Sequence, residues 1–336
     1  MAARTRVGVV GTGYLGRFHA EKYARMQDEG LVELVGVADV ELARAQEVVG
    51  KLGKGRAFAS ALDLADAGVD AVSVVVPTHV HHKVAKPLLE QGIDCLVEKP
   101  FAVTLAEADD LIATAARLGR ILQVGHLERF NPVMRGLKDM IRDPMFVESH
   151  RLAMFGERGT EVDVILDLMI HDLDIILMAV NSEVIEVSAV GVPVLTDKVD
   201  IANARLEFAN GCVANVTASR VSTAKMRKIR LFQADVYMSI DYQDKNVQVI
   251  RRTVEPGKPP QIGGELLEIK EGDALEAELK SFVNAVKTRS RPEVPGEDGR
   301  KALELAHRVG DAIRARALKT KDRLPPHVAE ILLGKK

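Results

Sequence analysis

The sequence predicts two folded units in series: an N-terminal doubly wound parallel α/β sheet and a C-terminal α+β unit with a mixed, mostly antiparallel open sheet. Three observations carry this. The chain has 336 residues, more than one hydrophobic core usually organises at about 150 residues per domain. Its first third alternates Val- and Ile-rich runs of strand length with amphipathic helical segments. Beyond residue 125, alternating runs follow one another without helices between them. The expected domains are therefore 1–124 and 125–336.

Runs at 5–10, 33–38, 70–76, 93–97 and 120–124 are of strand length and rich in Val and Ile, as strands covered on both faces should be. Helical patterns near 14–28, 41–52, 60–66, 79–91 and 104–118 supply the crossovers that parallel strands need. Asn131-Pro132 is a good N-cap and first-turn pair for a helix reaching about Ile141. A long helix is predicted over 161–180, with Thr160 and Asp163 at its start. Strands are predicted at 184–195, 201–208, 212–219, 226–233, 236–241 and 246–252, then helices at 274–287 and 297–318. The polar stretch 256–264, PGKPPQIGG, reads as a surface loop.

Hydrophobic content of 47% with 28% charged residues excludes a disordered chain or a coiled rod. A net charge of -2 gives no reason to expect nucleic acid or an anionic membrane as partner. Cys95 and Cys212, each in an apolar strand-like run, suit a reducing compartment. Glycines interrupt the apolar run near the N-terminus well short of a secretory signal, and no apolar stretch approaches the roughly 18 residues of a spanning helix. These features predict a soluble cytoplasmic protein.

Gly11-Thr12-Gly13-Tyr14-Leu15-Gly16 follows the first strand and opens a helix. Glycines there let the chain turn tightly and bring N–H groups against a pyrophosphate, whose charge the helix N-terminus favours. Asp39 ends the second strand, where its carboxylate can accept hydrogen bonds from ribose hydroxyls. It would repel a 2'-phosphate, and Val40-Glu41 offer no arginine to receive one, so NAD is expected rather than NADP. Pro77, Thr78 and His82, after the next strand, are expected to border the cofactor. His79, His81 and His82 also suggest a metal, but no nearby carboxylate completes a ligand set, so none is expected.

Glu98-Lys99-Pro100 ends the fifth strand of the pattern. Pro100 disfavours helical geometry at Lys99 and so holds the lysine extended at the strand end. A cation there can hydrogen-bond a substrate hydroxyl and stabilise the alkoxide that forms as hydride leaves. In the long helix, Asp163, Asp167, His171 and Asp174 fall within an arc of about 80° at about 100° per residue. That stripe is a solvated face, a metal site from Asp167, His171 and Asp174, or a catalytic pair in which a carboxylate orients a basic imidazole.

A glycine fingerprint followed by Glu98-Lys99-Pro100 resembles the glucose-fructose oxidoreductase and inositol dehydrogenase family, Gfo/Idh/MocA, over essentially the whole chain. The resemblance implies a Rossmann domain, then a substrate domain whose open sheet makes homodimer or homotetramer contacts. It implies that Glu98 and Lys99 stand at the cofactor, that Lys99 is an active-site residue, and that Asp167 and His171 act with it. Many relatives have glycines before this aspartate, where this chain has Gly156-Glu-Arg-Gly159-Thr-Glu.

The stretches GHLERFNP and DLMIHDLD, with Thr217-Ala-Ser-Arg220, resemble the branch of that family that oxidises C3 of UDP-N-acetylglucosamine ahead of an aminotransferase, for lipid A sugars. This implies a sugar-nucleotide substrate lined by Lys99, His126, Arg129, Asp167, His171 and Arg220. Arg129 reads equally as a structural arginine; Arg220 and the basic run from Lys225 to Arg230 can receive a pyrophosphate, against which the run reads as solvent-facing strand residues. Inositol or a free hexose as substrate, or a non-catalytic NAD-binding protein, are the alternatives.

Overall fold

The computed structural model describes residues 4–156, 162–269 and 271–334. The chain forms two compact units, Met1–Phe130 with Gly272–Lys301, and Asn131–Glu271 with Ala302–Lys336.

The first unit contains six strands and the helices that follow them: β1 (Thr5–Val10), α1 (Tyr14–Asp28), β2 (Val32–Ala38), α2 (Leu42–Leu52), β3 (Arg56–Phe58), α3 (Ala61–Asp66), β4 (Ala71–Val74), α4 (His81–Glu90), β5 (Asp94–Glu98), α5 (Leu105–Leu118) and β6 (Leu122–Gly125). Every pairing is parallel, in the order β3-β2-β1-β4-β5-β6, so all strand C-termini lie along one edge. The direction of winding reverses between β1 and β4, where such sheets open a ligand crevice. Two local devices set the helix ends well. Thr104 and Glu107 form a capping box at α5, and Gly119 closes that helix in the left-handed conformation.

β3 was not expected, because three residues are too few to show a period. A larger departure is that residues 272–301 cluster with this unit, although they lie far beyond the expected boundary at 124. Helix α8 (Ala274–Thr288) buries Leu279, Phe282 and Val283 in the same core as Val7 and Val9 of β1 and Ala20 and Tyr23 of α1. Its polar edge is pinned to α1 by Lys22 with Asp273 and by Arg25 with Glu276 at 3.5 Å. An amphipathic helix docks where its apolar face is complemented, which sequence order does not reveal.

The second unit holds α6 (Pro132–Leu137), β7 (Phe146–Leu152), α7 (Ile170–Val180), β8 (Val184–Val192), β9 (Ile201–Phe208), β10 (Val213–Ser219), β11 (Met226–Gln233), β12 (Val236–Asp241), β13 (Asn246–Thr253) and β14 (Gln261–Leu267). The C-terminal helices are α9 (Gly296–Lys319), which begins in the first unit's residues, and α10 (Pro326–Leu333). The sheet order is β14-β13-β12-β11-β7-β10-β9-β8, antiparallel except where β7 pairs with β10, so it is mixed as expected. Strand residues alternate inward and outward, and the inward set packs with α7 and residues 302–317 in one core.

Two strands escaped the sequence reading. β7 sits in the middle of the sheet, but its inward side chains are Val147, Ser149 and Arg151, so buried polar groups hide the alternation. The surface loop expected at 256–264 is present over 256–260, but β14 takes its last four residues; it is an edge strand whose side chains are nearly all exposed, so no burial pattern marks it. The helix expected from Asn131 to Ile141 is α-helical only to Leu137 and continues as a 3-10 turn over Lys138–Met140. Asn131 caps it by accepting the Val133 N–H at 3.1 Å.

Both cysteines are free thiols and buried. Among the described residues no helix is long and apolar enough to cross a membrane.

Candidate active site

The turn after β1 is built around what glycine permits. Gly11 has φ +94°, and a Cβ there would stand 2.3 Å from the Val75 carbonyl oxygen. At Gly16 a Cβ would stand 1.9 Å from the Gly11 oxygen, so α1 can approach the strand only through glycine. Gly13 is different: a Cβ there would meet nothing within 4 Å. Packing does not demand glycine at 13, and its bare backbone, at the N-cap of the 15-residue helix α1, suits the close approach of a pyrophosphate. The residues present therefore fit a dinucleotide. Leu15 and Tyr14 occupy the first turn, where Tyr14 is 53% exposed and stands edge-on to Phe18 with ring centroids 5.1 Å apart.

Asp39, just beyond β2, is bound into this turn. One carboxylate oxygen accepts the Thr12 N–H at 2.8 Å and the Thr12 hydroxyl at 2.6 Å, and the other accepts the Glu41 N–H at 2.9 Å. Burial alone would raise its pKa, but the Thr12 hydroxyl, the two amides and the Arg44 charge outweigh it and hold the carboxyl below its usual range. Asp39 is thus held ionised against this turn.

Pro77 and Thr78 lie past the end of β4, the expected position. His82 does not stay with them: its Nε2 lies 2.6 Å from Asp110 on α5, which also takes the Lys86 ammonium at 2.8 Å. The carboxylate thought to be missing from the histidine cluster is this Asp110. His81 is buried instead, with Nδ1 3.0 Å from the Pro100 carbonyl and Nε2 2.8 Å from that of Val76. It ties the β4 loop to the β5 end. Burial lowers its pKa against the opposing pull of those carbonyls and of Glu98.

Lys99 stands at the end of β5, and its peptide to Pro100 is cis. Glu98, expected at the cofactor, is turned inward. Its Oε1 lies 3.1 Å from His19 Nε2, and its Oε2 accepts the Lys99 N–H at 3.3 Å. A Cβ on Gly125, opposite it on β6, would stand 2.7 Å from the carboxylate. His126 is buried just past β6, and Arg129 is held by Asp298 at 2.7 Å, which favours the structural reading of that arginine.

In the second unit the long helix departs from uniform α geometry. Residues Ile165–Met169 form a π-helical turn containing Asp167, and α7 with His171 follows directly. A π turn inserts one extra residue and marks functional sites often. It also breaks the stripe drawn at a constant angle. Asp167 and His171 are half-buried, whereas Asp174 is fully buried. Asp172, unnoticed among the apolar residues, faces inward, where it accepts Arg151 Nε at 2.6 Å and the Ser149 hydroxyl at 2.9 Å. Asp163 caps the helix by accepting the N–H groups of Ile165 and Leu166, at 3.1 and 2.9 Å. The expected contribution of Thr160 falls outside the described residues. Among the described residues, Asp167, His171 and Asp174 do not bring three ligand atoms within 4.8 Å of one another.

Arg220 is 5% exposed; it donates to the Val162 carbonyl at 2.7 Å and lies 3.8 Å from Asp200. Arg230, in the basic run, pairs with Glu148 across β11 and β7. His19, Gly125 and Glu278 escaped the sequence reading. The clue for His19 was its place on the inward face of α1, in step with Gly16, Ala20 and Tyr23; Glu278 gave no local clue.

Residues 5–126 match the oxidoreductase family with an NAD-binding Rossmann fold, GFO_IDH_MocA, and residues 142–238 match the GFO/IDH/MocA C-terminal domain. The chain is 41% identical over 314 residues to a UDP-N-acetylglucosamine 3-dehydrogenase of Acidithiobacillus ferrooxidans, covering 92% of this chain and 97% of that protein. A solved structure of UDP-N-acetylglucosamine 3-dehydrogenase GnnA from that organism superposes with a TM-score of 0.86 at 39% identity, over 93% of this chain and 99% of that one. A myo-inositol 2-dehydrogenase of Thermotoga maritima is 29% identical over 90% of this chain and 94% of its own length. With the glycine turn, the ionised Asp39 and the strand-end lysine in place, the chain belongs to the GFO/IDH/MocA oxidoreductase family and is an NAD-dependent enzyme.

Proposed function

We propose that the protein oxidises a secondary hydroxyl of a sugar nucleotide, at C3 of UDP-N-acetylglucosamine, to the 3-keto sugar. The observation that carries this is the 41% identity to a UDP-N-acetylglucosamine 3-dehydrogenase along 97% of that protein's length, a match that includes residues of both units. NAD, when bound, supplies the hydride acceptor. The chain's own residues do the rest. The Lys99 ammonium hydrogen-bonds the reacting hydroxyl and stabilises negative charge developing on its oxygen. The His171 imidazole takes the hydroxyl proton, and Asp167 orients that imidazole and raises its basicity. His126, Arg129 and Arg220 shape and brace the substrate side. The 3-keto product passes to an aminotransferase, on the way to lipid A sugars, and the enzyme works as a homodimer or homotetramer in the cytoplasm.

The test is incubation with NAD and UDP-N-acetylglucosamine, with an aminotransferase and amino donor present to draw off the ketone, while nicotinamide absorbance is followed. Reduction of NAD by the sugar nucleotide, and little by myo-inositol or free hexoses, is the expected result. The 29% identity to an inositol dehydrogenase supports a second reading, polyol oxidation, and the reverse preference in the same assay would establish it.

A further inference from the structure

Behind the strand end that carries Lys99, three ionisable side chains share one enclosed space: His19 of α1, Glu98 of β5 and Glu278 of α8. One ring nitrogen and one oxygen from each carboxyl all lie within 4.8 Å of one another, and His19 and Glu278 are 0% exposed. Hydrogen-bond donors are shared unevenly among them. Glu98 has the His19 ring at one oxygen and the Lys99 N–H at the other. Among the described residues, Glu278 has no hydrogen-bond partner at either oxygen. An enclosed carboxylate without a donor is the costlier of the two to keep charged, so the proton belongs on Glu278 and the charge on Glu98. Burial, reinforced by the nearby Glu98, pushes the Glu278 carboxyl well above the usual range.

The other groups facing this space do not reverse that assignment. Tyr23 of α1 shares a hydrogen bond with Ser73 of β4 at 3.0 Å, and burial keeps its phenol protonated. His81 is occupied by the Val76 and Pro100 carbonyls. Gln123 of β6 reaches the Glu278 backbone carbonyl at 3.4 Å, not its carboxyl. Gly125 closes the far side against Glu98.

We propose that Glu278 is a positioning residue: it holds a proton at neutral pH, leaving Glu98 the sole carboxylate of the cluster, bonded to the Lys99 amide and so fixing where β5 presents the lysine. This rests on the role given to Lys99 above. Ionising Glu278 sets two like charges in one enclosed space; Glu98 then gives way, the Lys99 amide loses its acceptor, and the ammonium shifts from the reacting hydroxyl.

The full-length protein is examined by infrared titration and by steady-state kinetics. A carbonyl band of a protonated carboxylic acid is expected at neutral pH in the wild type and not in Glu278→Gln. Glu278→Ala is expected to lower kcat about tenfold or more with NAD Kd little changed, and Glu278→Gln, neutral and of the same shape, to restore most of that loss. Absence of the band overturns the proposal, as does a Glu278→Gln variant that melts like wild type but turns over no better than Glu278→Ala. One equivalent of divalent metal in the purified protein, lost in Glu278→Gln, also overturns it and makes the cluster a metal site. Should Glu278→Ala fail to fold, the band and the Glu278→Gln kinetics still decide. Undiminished turnover by Lys99→Met removes the lysine's role and the positioning function with it, whereas the infrared band reports the proton independently.

Discussion

Thr12 donates twice to the same oxygen of Asp39, from its backbone N–H at 2.8 Å and from its hydroxyl at 2.6 Å. The glycine turn after β1 and the acid after β2 are thereby tied into one element. Asp39→Ala should weaken NAD binding by about 1.5–3 kcal/mol, roughly ten- to hundredfold in Kd, and should narrow the preference for NAD over NADP. Calorimetric titration with both nucleotides measures this.

The same bonds make a prediction at acid pH. Burial opposes ionisation of Asp39, but Thr12, the Glu41 amide and Arg44 depress its pKa below the unfolded value. Its contribution to stability is therefore present above the unfolded carboxylate range and is lost as pH falls through the folded value. Asp39→Asn should flatten part of the acid fall in Tm.

Lys99→Met should cut kcat by about 10²–10³-fold while NAD Kd stays within about twofold. Equal losses in both would place the lysine in nucleotide binding rather than at the reacting hydroxyl.

Gly125→Ala sets a methyl group where the Glu98 carboxylate stands, 2.7 Å away. Overpacking of this kind costs about 1–3 kcal/mol, read as a lowered Tm, and kcat should fall with it as the strand end moves.

Arg151 and Asp172 form a buried ion pair with Ser149 as third partner. Asp172→Ala removes the carboxylate that accepts Arg151 Nε and the Ser149 hydroxyl in a buried setting and should cost about 3–5 kcal/mol in chemical unfolding. Replacing both residues by apolar ones of similar volume should recover most of that loss.

Glu278 predicts a pH trend of opposite sign. Because burial and Glu98 raise its pKa, the folded protein keeps a proton that the unfolded chain has released. Stability is unaffected below the unfolded pKa and declines as pH rises toward the folded value. Glu278→Gln escapes this decline, so its Tm should gain on that of the wild type as pH increases. A constant gap would argue against the raised pKa.

Much of the first unit's local geometry is legible in the sequence. The turn at 11–16, the acid at 39 and the strand-end lysine at 99 are each specified by neighbours a few residues away, since steric freedom, strand polarity and the proline after Lys99 act over short distances. The parallel sheet followed because strands covered on both faces read as short Val- and Ile-rich runs, here alternating with helical patterns. β7 escaped because its inward positions carry Ser149 and Arg151, and their partner Asp172 was lost in a helix assumed to keep one angle throughout.

By itself the sequence determined the two kinds of sheet, the glycine turn after β1 and the place of Lys99 at the end of β5. Tertiary structure alone decided that α8 returns to the first core, bringing Glu278 beside Glu98 and His19, and that Glu98 faces inward. The physical reason is range. Backbone preference acts between near neighbours, whereas burial and charge depend on whatever the folded chain encloses, and Glu278 is 180 residues from Glu98.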